Sequence, residues 1–157
     1  MKKVYYAFSD IGGSGLFASK KILKDEIIFF VGGLKIVKHR YTKKFSPTGP
    51  NWIAIDKERW LVPFDNNPWP YVNHSCNPNA GFRGTLGIVA MRNIAKDAEI
   101  TIDYAITEED PYWHMVCHCG VKQCRKRIVS AVLQPELLRK YKTYLPTFLK
   151  KQWLKIK

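Results

Sequence analysis

Apolar residues in this chain come in runs too short to build a long helix or a wide sheet. Residues 3–9, 16–18, 27–31, 52–56, 60–64 and 87–91 are rich in β-branched and aromatic side chains, and Gly, Pro, Asn or charged residues cut each run short. Such runs read as short strands and their punctuation as turns. Lys24-Asp25 makes one turn, Gly32-Gly33 breaks the third run, and residues 65–70 form a Pro/Asn loop. Residues 94–102 hold a charged turn and a last strand. The expected fold is mainly β, made of several small sheets. Residues 38–50, polar and basic with two prolines, read as a loop. The pattern changes only after Cys124. Gln134-Pro135-Glu136 opens a helix with Pro in its first turn. Leu137, Leu138, Tyr141, Tyr144 and Leu145 recur at helical spacing, and Pro146 ends the run. Residues 148–157 read as a second short helix.

A chain of 157 residues fits one domain, and 46% hydrophobic against 25% charged residues marks it as globular. No apolar run reaches the ~18 residues that a membrane span needs. The first residues carry two lysines but no continuous apolar stretch, so we expect an intracellular protein. It would be cytoplasmic in a prokaryote, nuclear in a eukaryote, or a viral or secreted effector. Four cysteines in such a chain point to reduced thiols or a metal site, and away from a disulfide framework. The net charge of +13 attracts anionic partners such as nucleic acid, nucleoprotein or an acidic protein surface, or serves solubility alone. Much of it sits in residues 35–44 and 122–157, outside any recognised nucleic-acid motif.

Three stretches carry chemistry. Asn73-His74-Ser75-Cys76-Asn77-Pro78-Asn79 packs amides, an imidazole, a hydroxyl and a thiol into seven residues. Asn-Pro pairs are ordinary turn formers, so a polar loop is the plain alternative. Gly12, Gly13 and Gly15 surround Ser14 and leave backbone groups open to a ligand, although no Walker or full dinucleotide pattern follows. Cys117, Cys119 and Cys124 bring three thiols within eight residues, and Cys76 is the natural fourth. The run Glu108-Glu109-Asp110 reads as a solvated loop, with docking of a basic peptide as the alternative.

Together these stretches resemble the SET domain of protein-lysine methyltransferases. Gly13-Ser14-Gly15-Leu16-Phe17-Ala18 is similar to the family's Gly-x-Gly motif. The segment from Tyr71-Val72-Asn73-His74-Ser75-Cys76 to Pro78-Asn79 is similar to its aromatic-x-Asn-His-Ser-Cys-x-Pro-Asn motif. Glu99-Ile100-Thr101-Ile102-Asp103-Tyr104 is similar to its Glu-Leu-Thr-x-Asp-Tyr motif, and the three close cysteines to its post-SET zinc segment. The resemblance implies small sheets with a pseudo-knot at the active site, an exception to the rule against threading. It divides the chain into a SET domain at 1–112, a zinc segment at 113–128 and a helical tail at 129–157.

The resemblance also implies transfer of a methyl group from S-adenosylmethionine to a lysine amine of a protein, such as a histone or another DNA-associated protein. Tyr104 would be the catalytic residue, orienting the reacting groups. Gly13, Ser14, Gly15, Leu16, Asn73 and His74 would bind the cofactor. Cys76, Cys117, Cys119 and Cys124 would hold zinc. His74 stays open as a base or metal ligand, with His118 a further fallback ligand. Phe30, Trp52 and Ile102 would line the lysine channel. The chain departs from the pattern at Pro70, where an Arg is common, at Phe30, where a channel Tyr is common, and at Ile102, where Phe or Tyr limits methylation. The lost hydroxyl leans towards more than one methyl. Two rival readings are a catalytically silent SET-like module and a basic, zinc-containing nucleic-acid or protein binder.

Overall fold

The computed structural model describes residues 3–38, 51–56 and 58–156. All but the first residue of the loop expected at 38–50 lies outside them. Twelve short strands and two helices are formed among the described residues. Strand β1 (Val4–Phe8) pairs with β2 (Ser14–Ala18) around the glycine turn. Strands β3 (Ile27–Phe30), β8 (Ala80–Arg83) and β9 (Gly87–Ala90) form a sheet in the order β3-β9-β8. Strands β4 (Gly33–Lys38), β5 (Ile53–Asp56) and β6 (Arg59–Pro63) form another in the order β4-β6-β5. Strand β11 (His114–Val116) pairs with β12 (Arg127–Val129). Between these sheets β7 (Asn73–His74) runs parallel to β10 (Thr101–Ile102), with Asn73 opposite Thr101 and His74 opposite Ile102.

Leu16, Trp60, Phe82, Ile88, Ile100 and Ile102 are buried where the sheets meet. Burying each side chain of this size contributes about 1.5–3 kcal/mol. The tail belongs to the same core: Leu138, Tyr141, Leu145 and Leu149 are all buried. It crosses so close to β8 that a Cβ on Gly81 would lie 2.8 Å from the Tyr144 Cβ. No helix among the described residues is long and apolar enough to cross a membrane.

Three expectations are corrected. The helix expected from Gln134 to Leu145 ends early, as α1 (Pro135–Lys140), because the following turn takes tertiary partners instead. Phe82 N–H donates to the Tyr144 carbonyl at 2.8 Å, and the Tyr141 hydroxyl donates to Asp103 at 3.1 Å. Pro146 therefore precedes α2 (Thr147–Ile156), and its carbonyl accepts from Lys150. Gly33, read as a breaker, begins β4; with no side chain it fits where a Cβ would meet Leu61 Cδ1 at 2.4 Å. The acidic run is not a solvated loop. Glu108, Glu109 and Asp110 are buried. Glu108 accepts from the Glu109 and Asp110 amides at 2.8 and 2.9 Å and from Trp60 Nε1 at 3.2 Å. Glu109 accepts from Gln152 of α2. Burial pushes the Glu108 carboxyl up to about 7, against the downward pull of those donors.

Candidate active site and thiol cage

Successive residues of a strand point to opposite faces. In β7 this sends the side chains of Asn73 and His74 to two different sites.

On the Asn73 face lies the glycine turn. Gly13 has φ +59°, a conformation that favours glycine, and the space where its Cβ would stand is open. Asn73 Nδ2 donates to the Ser14 carbonyl at 3.1 Å, to Ser9 Oγ at 3.1 Å and to Glu99 Oε1 at 2.8 Å. Ser9 Oγ in turn donates to Glu99 Oε1 at 2.8 Å. Gly15 is buried against this cluster, where a Cβ would come within 2.5 Å of Glu99 Oε1. Gly13, Ser14, Gly15 and Asn73 are thus brought together. Leu16 instead faces the core, and its carbonyl accepts from the Ile100 amide at 2.7 Å. Composition alone marks neither Ser9 nor Glu99 for this cluster. The signal for Glu99 was its place at the head of the third motif.

Tyr104 opens a short 3-10 turn directly after β10. Its amide donates to His74 Nδ1 at 3.1 Å, and its hydroxyl donates to the Val72 carbonyl at 2.6 Å. The expected meeting of Tyr104 with the Asn73–His74 strand is therefore present. Burial, reinforced by Glu99, pushes the phenol up to about 12, so it stays protonated at neutral pH. Burial also pulls His74 down to about 4, with Asp103 opposing, which leaves a neutral imidazole. Asp103 is fully buried and serves several partners. It accepts from the Ala105 amide at 3.1 Å, Arg125 at 2.5 Å and Tyr141 at 3.1 Å. It thus joins the turn that carries Tyr104 to the cysteine segment and the tail. Of the channel candidates, Ile102 is fully buried, Trp52 is half-buried, and Phe30 is two-thirds exposed beside Gly87.

On the His74 face the four thiols converge. Cys117 Sγ lies 3.8 Å from Cys76 Sγ and 3.5 Å from Cys124 Sγ. Cys119 Sγ accepts from the Cys76 amide at 3.5 Å. Burial would push the Cys119 thiol up, but the Cys76 and Val121 amides and the neighbouring thiols more than offset this and hold it at about 7. Burial pushes Cys117 up. His74, Cys76, Cys117 and Cys119 also form a compact buried group, with one ligand atom of each within 4.8 Å of the others. His118 is exposed. Four sulfurs this close, on segments with little regular structure, have the chemistry of a tetrahedral site for a soft divalent ion.

The family model described as the SET domain matches residues 13–105. The chain is 32% identical over 136 residues to histone-lysine N-methyltransferase 2D of Homo sapiens, covering 78% of this chain and 2% of that protein. It is 34% identical over 182 aligned positions to the H3 lysine-36 specific histone-lysine N-methyltransferase of Candida albicans, covering 98% of this chain and 20% of that protein. The chain therefore spans a small part of the curated relatives it matches. The solved structure of KRYPTONITE in complex with mCHG DNA and SAH is similar in fold, with a TM-score of 0.61 at 21% identity over 80% of this chain and 28% of that one.

Proposed function

The chain belongs to the SET-domain family, and we propose that it transfers a methyl group from S-adenosylmethionine to the side-chain amine of a lysine in a protein. The observation that carries this reading is the double attachment of Tyr104, its amide donating to the His74 imidazole and its hydroxyl to the Val72 carbonyl, beside the glycine turn. The relatives named as histone-lysine N-methyltransferases support it. A histone or another DNA-associated protein is the proposed substrate.

The residues present fit the cofactor. The open backbone at Gly13 and the amide of Asn73 would hold it, and it would supply a methyl carbon on a positively charged sulfur. A neutral lysine amine would take that methyl through its lone pair, with the C–S electron pair left on sulfur. A free lysine has a pKa of about 10.4, so the amine must first lose a proton. A protonated phenol is a poor base for that step. The Tyr104 hydrogen is committed to the Val72 carbonyl, so the phenol oxygen presents lone pairs that can accept N–H from the incoming amine and orient it. Cys76, Cys117, Cys119 and Cys124 fit zinc, which would fasten the cysteine segment over the same region.

Incubation of the protein with labelled cofactor, core histones and a cell extract, followed by mapping of modified lysines, tests the reading. We expect label on lysine, and a fall in turnover of about 10²–10³-fold for Tyr104→Phe with the fold retained. No lysine label from the wild-type protein, or unchanged turnover for Tyr104→Phe, would overturn it. A second reading has one observation in its favour. Eleven of the 26 lysines and arginines, but only one of the 13 acidic residues, lie after residue 110. A nucleic-acid binder built on that surface would lose affinity steeply with salt and ignore Tyr104→Phe.

A further inference from the structure

His74 is 4% exposed and touches two sites at once. Its Nδ1 lies 3.1 Å from the Tyr104 amide, and its Nε2 lies 3.4 Å from Cys76 Sγ. A backbone amide can only donate, so Nδ1 must offer its lone pair. A neutral imidazole then carries its one hydrogen on Nε2, aimed at the Cys76 sulfur. In this tautomer Nε2 has no lone pair for a metal. On this assignment His74 would donate to a ligand and not be one itself, despite its place in the compact group with Cys76, Cys117 and Cys119. The fourth position falls to Cys124, whose sulfur touches that of Cys117. The Cys76 sulfur also accepts from the Arg125 amide at 3.3 Å, so two N–H groups converge on it, as a thiolate requires.

We propose, resting on the zinc reading above, that His74 is a positioning residue that couples the thiolate cage to Tyr104. A metal-bound thiolate at Cys76 draws on the Nε2 hydrogen and fixes the ring. The fixed ring holds the Tyr104 amide through Nδ1. The next amide is fastened in parallel: Ala105 N–H donates to Asp103, which Arg125 grips from the cysteine segment. The turn carrying the catalytic phenol thus begins with two amides tied to groups that answer to the cage. Opening the cage loosens the phenol without touching the glycine turn.

Cobalt(II) in place of zinc reads the ligands without any assay of activity. Cys124→Ala should remove about a quarter of the thiolate-to-cobalt charge-transfer intensity, as one of four sulfurs, and His74→Gln none. The reverse pattern would overturn the assignment. The two halves of the coupling separate by substitution. His74→Asn keeps an acceptor near the Nδ1 position, and His74→Gln keeps a donor near the Nε2 position. Metal release to a chelator should quicken about tenfold in His74→Asn and far less in His74→Gln, while kcat falls about tenfold further in His74→Gln than in His74→Asn. Equal effects of both substitutions on both readouts would overturn the coupling. Should the variants not fold, the ¹⁵N pattern of the wild-type imidazole decides: hydrogen on Nε2 supports the proposal, and hydrogen on Nδ1 sinks it. Wild-type protein that binds neither zinc nor cobalt overturns the metal reading itself. Bound metal with the wrong tautomer overturns only the coupling.

Discussion

The two faces of β7 solve the same problem in opposite ways. Around Asn73 the polar groups complete one another: the Asn73 amide, the Ser9 hydroxyl and the Glu99 carboxylate form a closed set under the glycine turn. Around His74 the four sulfurs meet the imidazole and the Cys76, Arg125 and Lys126 amides, and otherwise face one another. When they ionise they repel, and only an ion between them turns that repulsion into attraction. One face is pre-organised by protein alone, and the other, on the zinc reading proposed above, would depend on a ligand. The difference teaches that the cofactor side should survive loss of the metal and the phenol side should not.

The largest test of this contrast is metal removal. Chelation, or Cys117→Ser, should cost several kcal/mol and lower Tm by about 10 °C or more, with turnover lost. Calorimetry with and without chelator checks it, and an unmoved Tm breaks the contrast. Next in size is Gly15→Ala, which strikes the other face. The added Cβ would meet Glu99 Oε1 at 2.5 Å and Ser9 Cβ at 2.9 Å, so the closed set must open. We expect a loss of about 1–3 kcal/mol and a raised KM for the cofactor, with the metal-release rate unchanged. Denaturant titration and stopped-flow chelation read the two effects separately.

The smallest effect belongs to a group on neither face. The Glu108 carboxyl sits at about 7 in the fold against an ordinary 4.5, so the folded chain holds its proton more tightly than the unfolded one does. Its contribution is fully present below pH ~4.5 and is lost as pH rises through about 7. Between pH 5 and pH 6 the wild-type protein should lose about 1 kcal/mol relative to Glu108→Gln. Parallel urea titrations at the two pH values check this, and a constant difference would refute it.

The motifs carried most of the site into view. Tyr104, Asn73, the Gly13–Gly15 turn and the four cysteines are all named by residue type and order, and the fold unites them. What stayed hidden depended on tertiary partners. Glu108 looks solvated until the Trp60 indole and two amides close on it. Asp103 is visible only as a motif residue, and Arg125 only as one charge among many, until the cysteine segment folds back upon β10. Gly33 looks like a breaker until Leu61 fills the space a side chain would need. The apolar spacing after Gln134 is helical, and Leu137, Leu138, Tyr141 and Leu145 do pack into the core. It could not reveal that the Tyr144 carbonyl would be captured by Phe82 on another strand.

The parallel pairing of β7 with β10 also bears on how the molecule comes into being. Tyr104 and His74 are 30 positions apart, and the β8–β9 hairpin lies between them in the chain. Closing so long a loop costs chain entropy before its contacts repay it, so late formation of this pairing is the expected order. A nascent chain halted before β10 lacks the phenol altogether, and one halted before Cys124 lacks the clamp. On the proposed function, the site would be assembled only once Tyr104 and the cysteine segment have both joined the chain around β7.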